Sequence, residues 1–172
     1  VASGCDAGIR YGERLEQDMI ALPVGPRTER FALAASPTYL ARRGMPQHPR
    51  DLLQHACLRG KFLSGLLYPW EFERDGQRLT LEPTGPLIVT PTVADLAVHA
   101  ALAGHGLVYL FEDWLAPYLA SGQLQPVLPD WWLAFPGPYL YYPGRRHLPA
   151  PLRAFIDFLQ ASALNPAGSP SP

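Results

Sequence analysis

Cysteine is scarce, with Cys5 and Cys57 the two in 172 residues, and neither belongs to a C-x-x-C pair. That excludes a disulfide framework and a thiolate zinc site, and it reads as two free thiols, most simply buried fillers, in a reducing compartment. Charge of one sign is equally scarce. The net charge is −1, so the chain lacks the basic excess that would grip nucleic acid or an acidic membrane by electrostatics. No apolar run approaches the roughly 20 residues that span a bilayer. Val1 to Asp6 shows no basic segment leading into an apolar core, which reads against a signal peptide. There is no internal repeat. Proline is plentiful, at 20 residues, but scattered, and it marks many turns.

What is present alternates between strand and helix patterns, which sets the class as α/β with mixed sheets. The organising stretch is residues 90–110. Thr90 or Thr92 can cap a helix with Pro91 in its first turn, Val93 to Ala103 carries apolar residues near helical spacing, and Gly104 and Gly106 stop it. Leu107 to Leu110 then reads as a short buried strand. A helix start beside a buried strand in an open α/β sheet is where anions bind.

Strands are expected at Asp6–Arg10, with the chain turning out at Tyr11, and at Asp18–Val24, Arg30–Ser36, Ala56–Arg59, Pro86–Thr90, Gln125–Leu128 and Tyr139–Tyr142. Trp70–Arg74 and Arg78–Glu82 alternate around Asp75-Gly76-Gln77, the clearest hairpin. Helices are expected from Ser36, from Pro49, over Glu112–Ala120 with Trp114, Leu115 and Leu119 inward, and from Leu148 with a stripe of Leu152, Phe155, Ile156 and Leu159. Residues 165–172 read as a disordered tail.

No catalytic constellation emerges. Ser64 lacks the first glycine of a nucleophile elbow, the five histidines show no metal-ligand spacing, and no carboxylate pair stands out. The sequence therefore predicts no enzyme, no cofactor and no metal site. Trp131-Trp132 and Tyr139 to Tyr142, beside Arg145-Arg146, suggest base stacking, but alternating strand aromatics are ordinary core and the basic excess is missing.

A set of segments in register resembles the effector-binding domain of LysR-type transcriptional regulators. They are Asp6–Glu13, Asp18–Ala21, Ala35–Leu40, Gly44–Leu52, His55–Leu58, Trp70–Phe72, Ala100–Gly106, Gly122–Leu124 and Leu140–Arg146, together covering residues 5–160. The resemblance implies a two-lobed fold like a type 2 periplasmic binding protein, with an effector in the cleft. It places residues 1–31 and 141–164 in a partial first lobe and 32–140 in the second. It implies that the winged helix-turn-helix and the start of the first lobe are absent, so that DNA contact belongs to the missing part. A cytoplasmic homodimer without membrane contact is the expected form. The effector is expected to be a small polar or anionic organic molecule. Arg10, Leu58, Arg59, Gly60, Ser64, Thr90 and Thr92 are its expected contacts, the two arginines pairing with a carboxylate. A solute-binding protein of a transport system is the alternative with the same fold.

Overall fold

A computed structural model of the chain describes residues 4–11, 18–62, 64–144 and 148–164. The elements run β1 (Gly8–Tyr11), β2 (Met19–Pro23), β3 (Thr28–Ala35), α1 (Pro37–Arg43) and β4 (Cys57–Gly60). They continue with β5 (Trp70–Arg74), β6 (Gln77–Leu81), β7 (Ile88–Val89), α2 (Ala94–Leu102), β8 (Leu107–Phe111) and α3 (Glu112–Ala120). β9 (Gln125–Pro126), β10 (Ala134–Pro136), β11 (Pro138–Pro143) and α4 (Ala150–Leu164) complete the fold.

The chain divides into two units, Val1–Thr28 with Phe135–Pro172, and Glu29–Ala134. The expected boundaries after residues 31 and 140 fall inside β3 and inside β11. The division lies earlier in the chain at both places, after Thr28 and after Ala134.

In the second unit β8 pairs antiparallel with β3 and parallel with β4, and β4 pairs parallel with β7. β9 attaches to β3. Both faces of this sheet are covered, so its strands are near-continuous apolar runs. Alternation sends Leu33, Cys57, Leu107 and Tyr109 into one core cluster, with Trp70 and Phe72 from the hairpin. It sends Ala32, Ala34, Leu58 and Val108 into another, beneath Ala97, Val98 and Ala101 of α2 and Leu115 of α3. The hairpin is as the alternation predicts, but its turn is Asp75-Gly76, both at positive φ, and Gln77 already pairs with Arg74. A two-residue loop with two left-handed positions matches the twist of the strands, and glycine adopts it without strain.

The organising stretch splits. Pro91–Val93 is a 3₁₀ turn, and the α-helix starts only at Ala94. Thr90 is at the cap position, yet its hydroxyl bonds Thr92 Oγ1 at 2.9 Å instead of a backbone N–H. Pro49–Gln54 is also 3₁₀. Two inward assignments are corrected: Trp114 on α3 and Phe155 on α4 are exposed, because Leu115 and Ile156 already occupy the buried side of each helix. Cys57 is buried as expected, whereas Cys5 is exposed.

The first unit is smaller. β11 lies between β1 and β2, antiparallel to both, and Leu140 and Tyr142 pack with Val24 and Ile156 of α4. Arg145, Arg146 and the 165–172 tail lie outside the described residues. No helix among the described residues is long and apolar enough to cross a membrane.

Candidate functional site

Six of the seven expected contacts belong to the second unit, around the carboxyl end of β4. Parallel pairing sets Gly60 beside Val89, and the Lys61 N–H donates to the Val89 carbonyl at 2.9 Å. The chain leaving β7 therefore delivers Thr90 and Thr92 beside the chain leaving β4. The two threonines are linked through their hydroxyls, Thr90 half-buried and Thr92 exposed. The start of α2 follows at once, with the free N–H groups of a helix amino end. Asp95 occupies its first turn. Ser64 is exposed on the turn after β4, where the Gly65 N–H donates to the Phe62 carbonyl.

Leu58 and Arg59 do not face this edge as expected. The Leu58 side chain is in the core under α2, which leaves only its backbone to offer. Arg59 is 2 % exposed. Its Nη1 donates to the Pro83 carbonyl and its Nη2 to the Tyr68 carbonyl at 2.9 Å. Burial draws its guanidinium below the usual arginine range. The expected carboxylate partner is thus a clamp across the two ends of the excursion that carries the hairpin. The physical reason is alternation: Leu58 faces α2, so Arg59 faces the opposite side, where the Pro83 and Tyr68 carbonyls accept from it. Beside it, burial pushes the Cys57 thiol up to about 12, which makes it an inert core thiol.

Sequence reasoning missed Tyr68. Its ring lies so close over Gly60 that a Cβ there would come within 2.7 Å of it, and its N–H donates to the Gly60 carbonyl at 2.9 Å. The available signal was the glycine after Arg59, at a position where the ring needs the space. Arg10 belongs to the first unit. It is exposed, third in β1 and opposite Tyr139, within the strand and not after its end. Trp131 is buried and Trp132 half-buried, both in apolar clusters, which removes them from any base-stacking surface. Among the described residues no cluster of His, Cys, Asp and Glu could hold a metal ion.

A family model described as the LysR substrate binding domain matches residues 1–164. A putative transcriptional regulator of Pseudomonas aeruginosa is 43% identical over 163 residues, covering 93% of this chain and 52% of the relative. The uncharacterized HTH-type transcriptional regulator YcaN of Escherichia coli is 37% identical, covering 95% and 52%. The chain thus spans about half the length of these relatives. Among solved structures, the regulatory domain of AphB in Vibrio vulnificus superposes with a TM-score of 0.75 at 27% identity, covering 91% of this chain and 74% of that one.

Proposed function

The chain belongs to the LysR substrate binding domain family, and from that premise we propose that it is the effector-sensing part of a transcriptional regulator. It takes a small polar or anionic organic molecule at the carboxyl edge of the second unit's sheet. The observation that carries the sensing role is the family match over almost the whole chain. The edge itself is supported by parallel strands ending beside Thr90, Thr92 and the start of α2, the ligand side of open α/β sheets. In this reading Thr90 and Thr92 exchange their mutual bond for bonds to the effector. Gly60 and Ser64 contribute backbone and hydroxyl groups, and Leu58 contributes only its place in the sheet. Arg10, on the first unit, is an independent candidate for pairing with a carboxylate.

The longer protein reads DNA through a segment other than this one, a reading supported by relatives that extend well beyond the match and carry HTH-type names. It works in the cytoplasm and as a homodimer. The named relatives are regulators and not transport proteins, which favours sensing over solute delivery.

The test is a thermal-shift screen of small organic acids and polar metabolites against this chain and its Thr92→Val variant. Saturating a ligand at about 100 times its Kd adds about 2.7 kcal/mol of stability, a clear rise in Tm. A hit whose shift shrinks at least by half in Thr92→Val supports the site. Hits indifferent to Thr92 move the site elsewhere, and Arg10→Ala then becomes the next variant to assay.

A further inference from the structure

Resting on that reading of the site, we propose that the effector carries a carboxylate, and that this group lies between Lys61 and Thr90, on the side of the sheet facing away from α2, with Lys61 as its charge partner.

Register brings the two residues together. Leu58, Leu87 and Val89 pack in the cluster beneath α2. Arg59 and Ile88, paired across β4 and β7, therefore face the other way, and Ile88 is exposed there. The alternation continues past both strand ends. Thr90 keeps an extended backbone, at φ −90° and ψ 163°, and Lys61 is still bridged to Leu67. With Gly60 level with Val89, the next pair is Lys61 and Thr90, side by side and on the side of Arg59.

No acid group of the protein meets the Lys61 ammonium. Its antiparallel bridge sets Leu67 on one flank, and the parallel register sets Thr90 on the other. Lys61 is half-buried, and among the described residues its side chain forms no ion pair and no hydrogen bond. Thr90 is half-buried beside it, its hydroxyl 2.9 Å from that of Thr92 and able to turn to a ligand.

A second cation lies beneath, two residues back and about 7 Å along the strand. Arg59 is 2 % exposed, its guanidinium donates only to backbone carbonyls, and its Nε is buried without a hydrogen-bond partner. Glu82 attracts it, but the two form no ion pair. A buried cation without a counter-ion is costly and leaves this corner positive. An anion on Lys61 would relieve that cost without touching Arg59. A carboxylate suits the corner, with one oxygen for the ammonium and one for the Thr90 hydroxyl. A phosphate dianion would bring about twice the charge to a single accessible cation.

The experiment compares acids with amides of the same size. The 172-residue chain is titrated with succinate, L-lactate, succinamide and L-lactamide, and with inorganic phosphate, followed by ligand-observed NMR into the tens of millimolar. The acids should bind at least about tenfold tighter than their amides, the scale of one charge-assisted bond. Lys61→Gln should erase most of that gap, and Lys61→Arg should keep it. Arg50→Gln, which removes an exposed cation elsewhere in the same unit, should leave the gap intact. Circular-dichroism melts of the variants check that the fold survives. If Arg50→Gln narrows the gap as much as Lys61→Gln does, the attraction is diffuse and the proposal is overturned. It is overturned too if neither acid binds, or if phosphate binds tighter than both. If Thr92→Val weakens acids and amides alike while Lys61→Gln leaves the gap, the site stands and the lysine fails. A gap lost in Arg10→Gln instead moves the carboxylate to the first unit. If Lys61→Gln erases the gap and Thr92→Val changes nothing, the lysine stands and the contact with Thr92 fails.

Discussion

The two units solve the same problem with unequal means. The second covers both faces of a mixed sheet, and residues as large as Trp70, Phe72, Leu33 and Leu107 are wholly buried there. The first has three antiparallel strands and one helix among the described residues, with a core of Val24, Leu140, Tyr142 and Ile156. On its strands Ile9, Tyr11 and Ile20, and on its helix Phe155 and Phe158, remain exposed. A small unit has too much surface for its volume to bury every apolar group. The second unit should therefore carry most of the folding free energy, and the first should open at lower cost.

Deleting a central side chain from each unit tests this most strongly. Phe72→Ala removes a fully buried ring and should cost about 3–5 kcal/mol, lowering the main transition in urea. Ile156→Ala, from a thinner core whose neighbours can relax, should cost about 2 kcal/mol and mainly speed amide exchange in β2 and β11. An Ile156→Ala loss exceeding that of Phe72→Ala would break the contrast between the units.

Arg59→Met tests whether polar clamps matter as much as apolar packing in the larger unit. It leaves the Pro83 and Tyr68 carbonyls without their donor, at about 1–3 kcal/mol for a buried acceptor. Faster amide exchange around Tyr68, with effector affinity falling only through the loosened loop and the lost positive charge, is the expected pattern. An unchanged melting temperature with binding abolished would instead mean that Arg59 touches the effector.

Much of this was legible in the sequence, and what was not has physical causes. The strands of the second unit, the hairpin and the stop before Gly104 follow from local pattern, because burial on both faces forces continuous apolar runs and turns force particular residues. Helix faces were less legible: Trp114 and Phe155 are apolar and correctly spaced, but which side of a helix is covered depends on what lies opposite, and no local pattern contains that. Arg59 failed for a related reason. An arginine at a strand end looks like a ligand contact, and only the packing of Leu58 towards α2 sends it to the other side. The loop of Phe62 and Tyr68 was invisible because its order comes from two contacts, a ring over Gly60 and a carbonyl on Arg59, that local propensity does not encode.

A smaller effect should appear with pH, again in the larger unit. Tyr39 Oη accepts the Ala56 N–H at 2.9 Å and lies 3.1 Å from His55 Nδ1, at hydrogen-bond distance. Burial, and then the Arg43 charge, lower the pKa of His55 below its ordinary value. A histidine that resists protonation when folded adds stability above about pH 6.5, the unfolded value. That stability is lost as pH falls from there towards the folded value, because the unfolded chain takes up the proton first. Urea midpoints followed from neutral pH to pH 5.5 should therefore decline, and His55→Asn should flatten the decline. An equal slope in the variant would assign it to other groups.

The smallest effect should come from the ion pair at the rim of the second unit. Arg30 donates from Nε to Glu112 Oε2 at 2.7 Å and from Nη2 to Oε1 at 2.5 Å, and its guanidinium lies 5.1 Å from the centre of the Trp132 ring. Bidentate geometry and an aromatic face favour a strong contact. Exposure argues the other way, because the two side chains are 44% and 33% exposed and water screens the attraction. Solvent wins in such cases, so Glu112→Gln should cost no more than about 1 kcal/mol, and less at high salt. The hydrogen bond from Arg30 holds the Glu112 carboxyl below the usual glutamate range. Its contribution is therefore present above about pH 4.3, the unfolded value, and fades as pH falls through the lower folded value. Wild type and variant should thus converge in acid. A loss beyond about 2 kcal/mol, indifferent to salt, would show that this rim behaves as core. Core-like behaviour there would extend the second unit's advantage over the first from packing to electrostatics.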